Sequence, residues 1–135
     1  MIQNKYILNP YRMEDEEENE NEIPKDDKPE PLSAGMMKKM EKMFFEKRAV
    51  YLWGVVEDKN IREVVTKLLL LDADKPGEEI KLYINSPGGV VTSGMVLYDT
   101  IEMLSSPVST ICMGLAASMG SILLSVGTKG RRFIY

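Results

Sequence analysis

One serine in this sequence has the neighbours of a nucleophile. Ser118 lies in Gly114-Leu115-Ala116-Ala117-Ser118-Met119-Gly120, directly after the apolar run Val108-Ser109-Thr110-Ile111-Cys112-Met113. A strand that breaks at glycine and restarts as a helix holds a hydroxyl out on a tight turn, where the helix N-terminus favours developing negative charge. The chemistry that suits such a group is acyl transfer, which also needs a base to take the serine proton, most often a histidine. The 135 residues contain no histidine, so that base is not an imidazole of this sequence.

Acyl transfer further needs two backbone N–H groups aimed at the oxygen of the tetrahedral intermediate. A second small-residue turn, Asn85-Ser86-Pro87-Gly88-Gly89, follows the strand-like run Ile80-Lys81-Leu82-Tyr83-Ile84. If both turns lie at the carboxyl edge of a parallel sheet, where such folds place their ligands, they converge. Gly89 then offers one amide and Met119 the other, with Ser118 attacking between them. Each turn alone is weak evidence. Glycines after proline commonly serve backbone geometry only, and a serine among alanines is commonly a packing residue. Ala116 also stands where the G-x-S-x-G elbow has its first glycine. The order and spacing of the two turns together carry the reading.

The elements that must position these turns alternate. Leu32–Glu46 reads as a helix opened by Ser33, with Met36, Met37, Met40, Met43 and Phe44 at helical intervals, a stripe expected to be core. Ala49–Val56 reads as a buried strand closed by a polar turn at Glu57-Asp58-Lys59-Asn60. Ile61–Leu71 follows as an amphipathic helix whose broad apolar face holds Ile61, Val64, Val65, Leu68, Leu69 and Leu71. Asp72–Gly77 breaks it before the second strand. Val90–Leu104 restarts helical periodicity; then come the strand to Met113, the Ser118 turn, a helix through Val126, the turn Gly127–Gly130 and a last apolar segment, Arg131–Tyr135. Strands alternating with helices predict an α/β fold with a parallel sheet and crossover helices. That last segment reads as a strand stopping mid-element, so the domain is expected to be incomplete.

Charge divides the chain in two. Residues 13–30 hold ten acidic side chains against Lys25 and Lys28, a balance of minus eight, whereas the whole sequence is at minus four. With Pro10, Pro24, Pro29 and Pro31 around it, this run lacks the apolar surface to offset the entropy of ordering. Residues 1–31 are therefore expected to be a disordered, solvated segment, with partner docking or weak divalent-cation binding as alternatives, and residues 32–135 to be the folded domain. The single cysteine, Cys112, excludes an internal disulfide or a cysteine-based zinc site and reads as buried filler. No basic stripe is concentrated enough for nucleic acid, and no run has the length of a membrane span or secretory signal. A cytoplasmic protein is expected, with no metal and no cofactor of its own.

From about Phe44 to Tyr135 the chain resembles the proteolytic subunits of ATP-dependent Clp protease, the ClpP family. The likeness is dense through Leu82–Met95, Tyr98-Asp99-Thr100, Val108–Gly114, Ala116–Gly120 and Lys129–Phe133. The resemblance implies the ClpP/crotonase-like fold and a serine endopeptidase acting in protein quality control. Its subunits form heptameric rings, homo- or hetero-oligomeric, fed unfolded polypeptide by an AAA+ Clp ATPase of the ClpX, ClpA or ClpC type; ATP is used by that partner. It puts Ser118 in the nucleophile position, with Gly89 and Met119 as oxyanion amides. The resemblance implies a histidine base a short way beyond the last residue here and an orienting aspartate further on, within a handle region, so these residues alone are expected to be inactive.

Two other departures concern partners. The resemblance implies an apolar ATPase-docking pocket for which Tyr83, Leu69 and Met103 are suited, but Lys81 stands where an aromatic residue is common. The acidic segment stands in place of an apolar axial loop. Two other functions remain in view: a non-catalytic regulatory subunit of a mixed ring, and acyl-CoA binding by a crotonase-like protein.

Overall fold

In the computed structural model, residues 33–135 are described. Their elements, in chain order, are α1 (Ala34–Glu46), β1 (Ala49–Trp53), α2 (Asp58–Asp74), β2 (Ile80–Ser86), α3 (Val91–Met103), β3 (Val108–Ala116), α4 (Met119–Ser125) and β4 (Arg132–Ile134). The strands form one parallel sheet in the order β1-β2-β3-β4. Strand–helix alternation thus produces the expected α/β architecture, because parallel neighbours need a crossover long enough to return the chain to the same edge. The acidic run 13–30 and the start of the first helix at Leu32 lie outside the described residues. Among those described, no helix is long and apolar enough to cross a membrane.

Successive strand residues point to opposite faces, and the two faces differ. Val50, Leu52, Leu82, Ile84 and Val108 join Ile61, Val64 and Leu68 of α2, Leu97 and Ile101 of α3 and Leu123 of α4 in one buried cluster. Fully burying each such side chain is worth about 1.5–3 kcal/mol, which makes this helix-covered face the core. On the other face, Tyr51, Tyr83, Ile111 and Phe133 are register partners across all four strands. Tyr51 stacks on Tyr83 at 4.9 Å between ring centroids, and Phe44 of α1 tilts onto Tyr51 at 5.1 Å.

Three local expectations are corrected. The methionine stripe of α1 is not core within this chain: α1 buries no residue, and Met36, Met37, Met40 and Met43 are all exposed. Its periodicity builds the helix, and Ser33 caps it by accepting from the Met36 amide, but no other described element covers the apolar side. The polar stretch Asp58-Lys59-Asn60 is not a turn but the first turn of α2, where an acidic residue suits the helix N-terminus. Leu69 does not belong to the buried face of α2; it is 52% exposed, while Ile61, Val64, Leu68 and Leu71 are buried, because a 3.6-residue period turns Leu69 about 100° from Leu68.

Arg48 joins these layers. It is 8% exposed and has a φ of 51°, between the end of α1 and the start of β1. Its guanidinium donates to the carbonyls of Leu71 (2.9 Å), Lys75 (3.2 Å), Glu78 (3.0 Å) and Glu79 (3.1 Å). The Leu71 carbonyl also accepts from the Lys75 amide at 3.2 Å, so the guanidinium adds a cation at the negative end of the α2 dipole and ties the loop that follows to it.

Candidate active site

The two small-residue turns meet. β2 and β3 end side by side, with Ser86 opposite Ala116, and the Ala117 amide donates to the Ser86 carbonyl at 3.0 Å. The register shifts between Ile84 and Ser86, so β3 carries extra residues around Gly114, whose φ is 85°. Such an irregularity re-aims the chain next to it. Ser118 then takes φ 49° and ψ −125° immediately before Met119 opens α4. A non-glycine residue in this region stores about 1–3 kcal/mol of strain and persists only where the surroundings impose it. The surroundings here are visible: the Ser118 carbonyl accepts from the Ser121 amide at 2.9 Å and the Ser121 hydroxyl at 2.6 Å, and the Met119 side chain is buried against Gly94 of α3. The Ser118 side chain is exposed and, among the described residues, makes no hydrogen bond.

Gly88 packs directly against this serine, and Gly89 against Val56. A Cβ on Gly88 would lie 2.8 Å from the Ser118 Cβ and 2.9 Å from the Met119 nitrogen, so only glycine lets the turns approach this closely. Gly88 is held by its own amide, which donates to the Ser86 hydroxyl at 3.1 Å. Gly89 forms an isolated parallel bridge with Val56: the Val56 amide donates to the Gly88 carbonyl at 2.9 Å, and the Val90 amide donates to the Val56 carbonyl at 2.8 Å. A parallel bridge uses the groups on either side of its central residue, so the Gly89 N–H itself points away from Val56. Neither this N–H nor that of Met119, the first residue of α4, donates a hydrogen bond among the described residues.

The arrangement therefore presents an exposed hydroxyl on a strained turn with two unengaged backbone donors on the loops that flank it. Chemically it can hold a developing oxyanion while an oxygen nucleophile attacks. No cluster of three or more His, Cys, Asp or Glu side chains able to hold a metal occurs among the described residues. Among the described residues, two carboxylates stand apart from their ordinary acidity, and both are at the amino edge of the sheet. Glu79, held low chiefly by the Ser109 hydroxyl and then by Arg131, immediately precedes β2. Asp72, held low chiefly by the Ser106 hydroxyl, also accepts from the Ser105 and Ser106 amides just before β3. β2 spans seven residues, about 20 Å, between that edge and Ser118. These carboxylates secure the loops that start the strands.

A protein-family model described as Clp protease matches residues 33–135. The chain belongs to the Clp protease family. Its α/β fold, which among the described residues is a four-stranded parallel sheet with four helices, is a partial ClpP-like fold, and the family is one of peptidases.

Within this Clp protease chain, the residues suited to ATPase docking are not gathered into one cavity. Tyr83 lies half-buried on the outer face of the sheet, whereas Leu69 and Met103 (52% and 84% exposed) belong to α2 and α3, which cover the opposite face. A groove of about 960 Å³ instead runs between α1, the edge strand β1 and α2, lined by Phe44, Phe45, Tyr51, Trp53, Leu70 and Leu71 among others. Sequence reasoning did not find Arg48, the Glu79–Ser109–Arg131 cluster or the side-chain bond between Asp58 and Ser93. All join residues more than 20 positions apart, and no periodicity announces such pairs.

Proposed function

We propose that Ser118 is the nucleophile of a serine-type endopeptidase site, with the amides of Gly89 and Met119 as its oxyanion donors. Family membership supports peptidase chemistry and, in general terms, work in rings with Clp ATPases. The observation that carries the finer reading is the strained, exposed Ser118 with the unengaged Gly89 and Met119 N–H groups beside it.

The Ser118 oxygen attacks the carbonyl carbon of an extended peptide, and its proton passes to a base. The carbonyl oxygen becomes the oxyanion that the two amides hold. Collapse breaks the C–N bond, the amine leaves with the proton, and water then hydrolyses the acyl-enzyme by the same steps. The substrate class is unfolded polypeptide, which an AAA+ Clp ATPase delivers using its own ATP; the chain itself takes no cofactor. With no histidine among the 135 residues, what remains is the part of catalysis due to binding and oxyanion stabilisation, orders of magnitude below a complete triad.

A fluorophosphonate probe on the full 135-residue chain tests this. Slow labelling is expected at Ser118, abolished by Ser118→Ala and accelerated by added imidazole acting as an external base. Labelling unaffected by Ser118→Ala would overturn the assignment, and rapid peptide turnover without added base would overturn the expected low activity of these residues alone.

A further inference from the structure

The Gly89 amide points where it does because Val56 holds the backbone on both sides of it, so whatever fixes Val56 fixes the oxyanion donor. Val56 is fully buried, and its main chain crowds Gly89 so closely that a Cβ there would lie 2.3 Å from the Val56 carbonyl oxygen. The segment carrying Val56 is irregular, however, and regular sheet pairing ends at Trp53 opposite Asn85. Three contacts take over. The Gly54 amide donates to the Asn85 carbonyl at 2.9 Å, and the Asn60 side-chain amide donates to the Val55 carbonyl at 2.9 Å. The third is a side-chain bond in which the Ser93 hydroxyl donates to the Asp58 carboxylate.

That third bond is placed where it matters most. Asp58 is two residues beyond Val56 and opens α2; Ser93 is four residues beyond Gly89, in the first turn of α3. Ser93 is 3% exposed, so its hydroxyl needs a partner, whereas Asp58 is exposed and could remain in water without one. A carboxylate accepting from a hydroxyl makes one of the stronger neutral-to-charged hydrogen bonds. The Val56–Gly89 bridge and the Asp58–Ser93 bond together close a small ring of two chain segments, with the oxyanion loop inside it.

We infer that Asp58 and Ser93 are positioning residues for the peptidase site, holding the Gly89 N–H at the oxyanion position through Val56. The inference rests on the assignment of Gly89 as an oxyanion donor. It concerns orientation rather than overall stability, because neither residue belongs to the buried apolar cluster and their bond joins the two segments that frame the loop.

The test uses the full chain, ¹⁵N-labelled, and a tripeptide boronic acid, which forms a tetrahedral adduct on a serine oxygen and puts an oxygen in the oxyanion position. In the unaltered protein the boronate is expected to shift the Gly89 and Met119 amide resonances; in Ser118→Ala it is expected not to. Asp58→Ala and Ser93→Ala are each expected to weaken boronate affinity about tenfold and to speed hydrogen exchange at Gly89 and Val90 while exchange in β2 and β3 stays unchanged. Asp58→Asn loses the charge at the helix N-terminus but keeps an acceptor for Ser93, and is expected to stay within about twofold of the unaltered protein.

If boronate binds the unaltered chain without moving Gly89 or Met119, the oxyanion assignment itself fails, and this inference with it. If those resonances move but both alanine variants bind equally well, only the positioning role is lost. A loss shared equally by Asp58→Asn would assign the effect to helix charge and overturn the inference too. Asp58→Ala, at an exposed site, carries the experiment should Ser93→Ala fail to fold.

Discussion

α2 and α1 are both amphipathic, both rich in apolar residues at helical spacing, and both adjacent to the edge strand β1. α2 buries Ile61, Val64, Leu68 and Leu71 against the sheet, whereas α1 buries nothing. The apolar side of α1 touches the rest of the molecule mainly where Phe44 meets Tyr51, and it walls one side of the groove along β1. Amphipathicity states that a face seeks cover without stating what covers it. For α2 the cover is this chain's own sheet. An exposed methionine and phenylalanine stripe of this size is the kind of surface on which another polypeptide packs.

The sharpest way to break the comparison is to delete one apolar side chain from each helix. Leu68→Ala, at a fully buried position, is expected to cost about 3–4 kcal/mol in denaturant unfolding of the full chain, as other core truncations do. Next comes the anchor between the helices. Arg48→Ala removes the guanidinium bonds to four carbonyls, of which those of Leu71 and Lys75 keep backbone donors, and is expected to cost about 3 kcal/mol. Hydrogen exchange should localise the damage to the last turn of α2 and the loop to Ile80.

Met40→Ala on the exposed stripe is expected to change unfolding by no more than about 0.5 kcal/mol, the usual range for surface positions. A cost near that of Leu68→Ala would show that α1 is packed in solution after all. The smallest effect is expected from Glu79. Its acidity is raised by the Ser109 hydroxyl and then by Arg131, so its folded value lies below the ordinary 4.5. The stability it contributes is complete above that ordinary value and is lost as pH falls through the lower, folded one. Glu79→Gln should therefore lower stability slightly on the neutral side and converge on the unaltered protein at the acid end, flattening the acid limb of the curve, read by urea midpoints from pH 3 to 7.

Much of the candidate site was legible because its demands fall on residue type. Turns that approach within van der Waals contact require glycine, and Gly88, Gly89 and Gly120 are visible in the sequence as such. A hydroxyl presented between a strand and a helix requires small neighbours, and Ala116, Ala117 and Gly120 supply them. Hidden from that reading was how the loops are held. Asp58 read as part of a polar turn and Ser93 as an ordinary helix residue, because their bond spans 35 positions and appears only when α2 and α3 start side by side. Placement was hidden in the same way: Tyr83 lies on the outer face of the sheet, whereas Leu69 and Met103 lie on helices that cover the other face.

By itself, then, the sequence determined the order of strands and helices, the parallel sheet that this order requires, and the two small-residue turns that we propose cradle an oxyanion. These follow from short-range rules of periodicity, backbone freedom and crossover length. Tertiary structure alone decided that α1 lies uncovered, that Arg48 caps a helix it does not belong to, and that Val56, steadied by Asp58 and Ser93, aims the Gly89 amide. Each of those depends on which distant segments come within hydrogen-bonding or packing distance, and local pattern carries no record of that distance.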